Sequence, residues 1–234
     1  LKDLPNIRTY GEALDSTYQI KNYKGKRFSS SFKIASEGED IGTFDLASPG
    51  FHNSLNATVA VAVAVDLGLS IEKIKKGISQ FAGVARRFQY RGEVNGVSFI
   101  DDYAHLPTEV ESALEAAKEG KWNRVVAVFQ PHRFTRTNDL APAFSNCFKE
   151  ADEIIITGIY SAGEKAIPGV TGKLVADAVA SKATAKNVRY CEHREDLIML
   201  LRELLTEGDL CLTLGAGDLT NIADQLMGAL EDDW

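Results

Sequence analysis

Residues 97–119 read VSFIDDYAHLPTEVESALEAAKE. A short apolar run of strand type ends in two acids, a tyrosine and a histidine, and Pro107 then opens a stretch with helical apolar spacing. The alternation continues to the end of the chain. RVVAVFQ (124–130) precedes a helical pattern in DLAPAFSNCFKEA (139–151), and EIIITGIY (153–160) precedes GKLVADAVAS (172–181). VRYCE (188–192) precedes EDLIMLLRELL (195–205), and DLCLTLG (209–215) precedes DLTNIADQLMGAL (218–230). Nearly continuous Val/Ile strands alternating with helices predict an α/β fold with a mostly parallel sheet covered on both faces. Just upstream, ARRFQYRGEVNGVSFIDDYAH predicts two strands joined at a Val-Asn-Gly turn.

The first part of the chain reads differently. Residues 1–49 look β-rich, with a hairpin in YQIKNYKGKRFSSSFKI around Lys-Gly and a short strand in SEGEDIGTFDLASPG. Residues 52–68 are rich in Ala, Val and Leu and long enough for a helix, with Asn53 or Ser54 as cap and Gly68 as stop. A second amphipathic helix is expected over 70–79, with Ser70 at its N-cap. The change of pattern near 83–86 predicts two domains, 1–84 and 85–234, with no internal repeat or low-complexity segment.

Hydrophobic residues make up 44% and charged residues 25% of the 234, a soluble globular profile. The net charge is −7 and no Lys/Arg run stands out, which argues against an extended nucleic-acid face. Cys147, Cys191 and Cys211 are odd in number and far apart, which speaks against a disulfide framework or structural zinc and fits the cytoplasm. Cys211, inside LCLTLG, reads as a small core residue. The longest apolar stretch, 57–65, is far too short to span a membrane, and no signal peptide is visible. The chain opens on Leu1 in mid-pattern, which suggests part of something longer.

In an open parallel sheet, ligands bind beyond the carboxyl ends of the strands. Four polar clusters fall there: DDYAH, PHRFTR, YSAGE and GAGD. In DDYAHLP a carboxylate suits ribose hydroxyls or a cation, and His105 suits orienting a substrate or meeting Mg²⁺ through a water. Helix capping by Asp or His, with Pro107 at the first helical position and Glu109 at the dipole's positive end, explains PTE. It leaves the adjacent like charges Asp101 and Asp102 in need of a partner. Arg133 and Arg136, three apart beside His132, suit a carboxylate or phosphate through bidentate bonds. Asn53 and Asn56 share a helical face and suit a nucleobase edge, although their spacing alone fits one cap and one exposed residue equally well. GAGD is a weak phosphate signal and fits a tight turn with close packing. Neither a GxxxxGK[ST] phosphate loop nor a GxSxG elbow is present.

FHNSLNATVAVAVA, GVARRFQYRG, DDYAHLPTEV, FQPHRFTRT and LGAGD, in that order, resemble the Mur ligases of peptidoglycan synthesis. FQPHRFTRT is the most specific element and resembles the alanine-adding branch. The resemblance covers nearly the whole chain. It implies the end of a central ATP-binding domain followed by a Rossmann-like, amino-acid-binding domain. The UDP-sugar domain, the phosphate loop and the acid and histidine that hold Mg²⁺ would lie N-terminal to this stretch, leaving it inactive alone. The implied cofactors are ATP and Mg²⁺, and the implied substrates are L-alanine and UDP-N-acetylmuramate, joined through an acyl phosphate.

By the same resemblance, His52, Asn53 and Asn56 bind the nucleotide, the asparagines facing adenine. Arg87 approaches the ATP phosphates and takes a catalytic part, and Asp102 binds the ribose. Tyr103, His105, His132, Arg133 and Arg136 form the alanine pocket, with His105 also catalytic and the arginines on the carboxylate. No residue of this stretch is assigned to a metal. The family usually has two consecutive histidines where this chain has His105-Leu106, and Leu106 is expected to pack under the helix start. A first unit lacking its neighbouring strands would expose a sheet edge, which invites a homodimer. Two other readings share most of these residues: a sister ligase adding a peptide or another amino acid, and a non-catalytic nucleotide-binding module.

Overall fold

A computed structural model describes residues 7–182 and 187–231. The chain divides into two compact units, Leu1–Gly83 and Val84–Trp234.

The first unit is a four-stranded sheet with two helices. Strands β1 (Tyr10–Gly11), β2 (Tyr18–Gly25), β3 (Ser30–Ser36) and β4 (Glu39–Leu46) lie side by side in chain order. β1 is parallel to β2 and the other pairs are antiparallel. The expected hairpin is β2–β3, closed by the Lys26 N–H on the Ser29 carbonyl at 2.8 Å. Alternate residues Phe32 and Ile34 of β3 point to one face with Tyr18, Ile20, Phe44 and Leu46. Ala57, Val61 and Ala62 of α1 (Phe51–Asp66) and Ile74 of α2 (Ile71–Gln80) cover that face.

The start of α1 differs from expectation. Gly50 holds the N-cap position, so neither Asn53 nor Ser54 caps the helix. Asn53 lies in the first turn, and its Nδ2 donates back to the Pro49 carbonyl and Ser48 Oγ at 2.8 and 3.0 Å. Ser54 is fully buried, 3.0 Å from Ser30 Oγ. Gly68 ends the helix as expected, its N–H on the Val65 carbonyl. Ser70 is the N-cap of α2, without a side-chain cap bond.

The second unit carries the α/β fold. Its six-stranded sheet has the order β5 (Gln89–Val94), β6 (Val97–Asp102), β10 (Asp209–Leu214), β7 (Arg124–Phe129), β8 (Glu153–Thr157) and β9 (Asn187–Cys191). Only β5 is antiparallel, and it turns into β6 through Asn95 and Gly96, both at positive φ (52° and 73°). That pair of angles defines the tight hairpin turn that Asn-Gly favours. The period-2 pleat splits the apolar residues between the faces. Ile100, Ala127, Phe129, Ile154, Ile156 and Leu212 meet α3 (Pro107–Glu119), α5 (Lys173–Ala180) and the Phe144–Phe148 segment. Phe99, Val126, Val128, Ile155 and Cys211 meet α6 (Arg194–Leu204) and α7 (Asn221–Glu231). Cys211 is a core residue as expected, and all three cysteines are free and buried.

The helix expected over 139–151 is corrected. The α-helix α4 runs earlier, Phe134–Leu140, and gives way to a 3₁₀ turn, Ala141–Asn146. Pro142 has no N–H to bond back one turn, so the α-helical ladder stops there.

β10, the last strand in sequence, lies between β6 and β7. The chain runs one way across the sheet from β5 to β9 and then returns to place β10 beside β6, and the helices following β6 and β10 cover opposite faces. Open α/β sheets bind ligands at the carboxyl ends beside such a point. The loops following β6, β10, β7 and β8 are DDYAH, GAGD, PHRFTR and YSAGE, so all four polar clusters emerge side by side. No helix among the described residues is long and apolar enough to cross a membrane.

Candidate functional site

Asp101 and Asp102 close β6 and are both buried, at 1% and 5% exposure. Adjacent buried carboxylates require partners, and each has its own set. Asp101 accepts from Arg86 Nε at 3.1 Å and from the Thr213 and Thr220 hydroxyls at 2.8 Å each. Arg86 also donates to the Gly215 carbonyl at 2.6 Å. Asp102 points the other way along the strand end and accepts the Phe88 and Ala104 N–H groups, both at 2.7 Å. The segment entering this unit is thereby stapled to the loop after β6. Arg86 and Phe88 hold positive φ (60° and 46°), a strained conformation for non-glycine residues that these bonds stabilise.

Burial pushes the Asp102 carboxyl up to about 6, opposed by its two backbone bonds and by Arg87, while Asp101 adds to the rise. A folded pKa above the ordinary 3.8 means the folded state binds the extra proton. Stability from this group is therefore present at low pH and lost as pH rises through the interval between the two values. Relative to Asp102→Asn, wild type is expected to lose roughly 2 kcal/mol between about pH 3.5 and about pH 6.5. Denaturant unfolding of both proteins across that range checks this, and a flat difference contradicts it.

The loop after β6 continues with Tyr103, whose ring lies under two guanidinium groups, Arg86 at 5.0 Å and Arg87 at 5.5 Å. Arg87 itself is exposed. The His105 ring meets Tyr103 edge-on at 5.4 Å and His132 at 5.6 Å. The N-cap of α3 is Leu106, not an acid or a histidine, and Pro107 takes the first helical position as expected. The Glu109 carboxylate caps instead, accepting the N–H groups of His105 and Leu106 at 3.0 and 3.1 Å. Leu106 is partly buried at the helix start.

After β7, His132 pairs with Tyr160 as an isolated parallel bridge, and their rings stack at 5.6 Å and 17°. Arg133 is exposed at φ 71°, and its N–H bonds the Tyr160 carbonyl at 2.8 Å. Arg136 Nη1 lies 3.1 Å from His132 Nδ1. Glu164, from the YSAGE loop, accepts the Thr135 N–H and hydroxyl at 3.1 and 2.8 Å at the start of α4. Those bonds and Arg133 hold the Glu164 carboxyl below its ordinary value.

Tyr103, His105, His132, Arg133 and Arg136 thus belong to one cluster of rings and cations at the carboxyl edge of the sheet, with Arg87 beside Tyr103. His52, Asn53 and Asn56 lie on the first turns of α1 in the other unit, Asn56 exposed. Three contributors were not singled out from the sequence. Tyr160 and Glu164 were visible only as part of YSAGE at a strand end, and Arg86 only as the neighbour of Arg87.

The GAGD glycines serve close packing. A Cβ on Gly217 would lie 2.5 Å from Tyr160 Cγ and would also strike Gln130 Oε1. Gly217→Ala is expected to push Tyr160 away from His132 at a cost of about 1–3 kcal/mol. Thermal unfolding measures it, and an unchanged midpoint contradicts it. Among the described residues no group of three His, Cys, Asp or Glu is placed to hold a metal.

A mostly parallel six-stranded sheet, with helices on both faces and polar clusters at its carboxyl edge, defines a Rossmann-like α/β domain. The family "Mur ligase, glutamate ligase domain" matches residues 86–217, and the chain belongs to the Mur ligase family. It is 40% identical over 231 residues to the UDP-N-acetylmuramate–L-alanine ligase of Myxococcus xanthus, covering 97% of this chain and 49% of that protein. The ligase of the same name from Pelotomaculum thermopropionicum is 41% identical over 218 residues, at 93% and 47% coverage. Among solved structures, the UDP-N-acetylmuramate-alanine ligase of Thermotoga maritima superposes with a TM-score of 0.81 at 27% identity, covering 97% of this chain and 48% of that one. The chain therefore spans about half the length of the relatives it matches.

Proposed function

We propose that this chain is the nucleotide- and amino-acid-handling half of an ATP-dependent ligase that joins L-alanine to UDP-N-acetylmuramate in the cytoplasm. The observation carrying this reading is the convergence of Tyr103, His105, His132, Arg133 and Arg136 beyond β6 and β7. The names of the relatives at about 40% identity support it.

In this reading Arg133 and Arg136 bind the alanine carboxylate through charge-assisted bonds. Arg87, exposed over Tyr103, offsets charge on the ATP phosphates and on the acyl phosphate. Asp102 reaches the ribose hydroxyls through the lone pairs not used by Phe88 and Ala104. His52, Asn53 and Asn56 serve the nucleotide from α1. With its Nδ2 committed to Pro49 and Ser48, Asn53 offers adenine its carbonyl oxygen as acceptor, and exposed Asn56 offers both groups. The described residues do not assemble a Mg²⁺ site, so no step is assigned to the ion through them.

The chemistry has two parts. The sugar carboxylate attacks the terminal phosphate of ATP and ADP leaves. The alanine amine then attacks the acyl phosphate, and phosphate departs as the amide forms. The test is mass spectrometry of the product made by the protein of the full-length open reading frame from ATP, UDP-N-acetylmuramate and a mixture of L-Ala, Gly, L-Ser and a tripeptide. The alanyl product is expected. A peptide adduct instead supports the sister-ligase reading, and no adduct supports the binding-module reading.

A further inference from the structure

The two histidines of the pocket carry their protons on opposite nitrogens. His105 Nδ1 lies 3.0 Å from the Tyr103 carbonyl and 3.3 Å from Glu109 Oε2. Both neighbours are acceptors only, so this nitrogen holds the hydrogen. His132 Nδ1 lies 3.1 Å from the Arg136 guanidinium, which only donates. That nitrogen therefore holds a lone pair, and the His132 hydrogen sits on Nε2. Burial, then Arg136, His105 and Arg133, lower the His132 pKa against a smaller rise from Glu164, which favours the neutral ring. Neither Nε2 has a protein partner among the described residues.

We propose that Glu109 is a positioning residue which, with the Tyr103 carbonyl, sets His105 to take the proton of the incoming amino group at Nε2, while Arg136 locks His132 as a donor. This rests on the ligase reading above. Glu109 is itself pinned by the N–H groups of His105 and Leu106, so its carboxylate stays against the ring. Leu106 stands where the family usually has a second histidine, and no second imidazole competes for that carboxylate. The charged and titratable groups facing His105 are Glu109 from α3, Tyr103 from its own loop, and His132 with Arg136 and Arg133 behind it. Arg86 and Arg87 lie over Tyr103, and Tyr160 with Glu164 closes the far side.

The ammonium gives one proton to His105 Nε2 and keeps the electron pair on nitrogen. The imidazolium formed is held by Glu109. The nitrogen pair attacks the acyl-phosphate carbon, a C–N bond forms and the carbonyl π pair moves to oxygen. On collapse the C–O bond to phosphate breaks, its pair leaves with the phosphate, and the second nitrogen proton goes to that departing group. His132 Nε2–H remains a donor throughout, suited to a carboxylate oxygen of the amino acid.

The protein of the full-length open reading frame, labelled with ¹⁵N-histidine, tests this without turnover. Two-bond ¹H–¹⁵N spectra, assigned with His105→Gln and His132→Gln, are expected to show neutral His105 protonated at Nδ1 and His132 at Nε2. His132 protonated at Nδ1, or His105 at Nε2, overturns the proposal. In turnover, Glu109→Gln is expected to lower kcat about tenfold with the alanine KM within about threefold, and His105→Gln to lower it about 100-fold. The His105→Gln rate should rise with pH as solution supplies free amine. An unchanged kcat in Glu109→Gln overturns the positioning role. If wild type forms no amide with any amino acid, the ligase reading fails, and the spectra alone decide the proton arrangement.

Discussion

Arg133→Ala, in the protein of the full-length open reading frame, is expected to raise the KM for L-alanine about 100-fold and to leave the KM for ATP within about twofold. The reason is a division of labour between two cations. Arg136 already donates to His132 Nδ1, so part of its hydrogen-bonding capacity is committed. Arg133 is exposed at the N-cap of α4, and its guanidinium has no hydrogen bond or ion pair to a described residue. A charge-assisted pair to a carboxylate contributes about 1.5–3 kcal/mol, and each 1.4 kcal/mol is about a factor of ten in binding. The backbone at Arg133 has positive φ, but alanine and arginine bear that strain alike, so folding should be preserved. Steady-state kinetics with alanine and ATP varied separately measure the effect. An unchanged alanine KM contradicts the assignment of the carboxylate to Arg133.

Asp101→Ala is expected to cost the second unit about 3–5 kcal/mol, through loss of a buried ion pair that leaves its partners uncompensated. Asp101 is 1% exposed and satisfies Arg86, Thr213 and Thr220 together. Thr213 is fully buried, and without Asp101 it keeps only a weak 3.3 Å bond to the Ile100 carbonyl. Arg86 would retain the Gly215 carbonyl but lose the one carboxylate it pairs with among the described residues. Asp101→Asn preserves an acceptor and should cost less than half as much. Urea unfolding of the three proteins gives the comparison, and a cost below about 1 kcal/mol for alanine would show that the network is structurally idle.

The parallel sheet was legible because its strands are buried on both faces and so are nearly continuous in Val, Ile and Leu. The Asn95-Gly96 turn was legible because only a few residue pairs tolerate two successive positive φ angles. The place of β10 between β6 and β7 was not, since strand order depends on pairing between segments more than 80 residues apart and leaves no local pattern. Capping failed where tertiary structure competed: Gly50 precedes α1, which lets Asn53 bond backwards, and Leu106 precedes α3 because Glu109 supplies the acceptor. Within the site, the arginine pair and DDYAH were visible as chemistry at strand ends. The partners of Asp101 come from β10 and the turn after it, and Tyr160 reaches His132 from the neighbouring strand's loop, so neither could be read from spacing.

In the proposed reading, the ring-and-arginine cluster after β6 and β7 selects L-alanine for an ATP-driven ligation. Phosphate release from ATP by the protein of the full-length open reading frame tests it most directly, with UDP-N-acetylmuramate present and L-Ala, Gly, L-Ser and a tripeptide added one at a time. Release that depends on L-Ala, and is weaker with Gly or L-Ser, is the predicted result. Release that is the same with every addition, or absent with all of them, would contradict it.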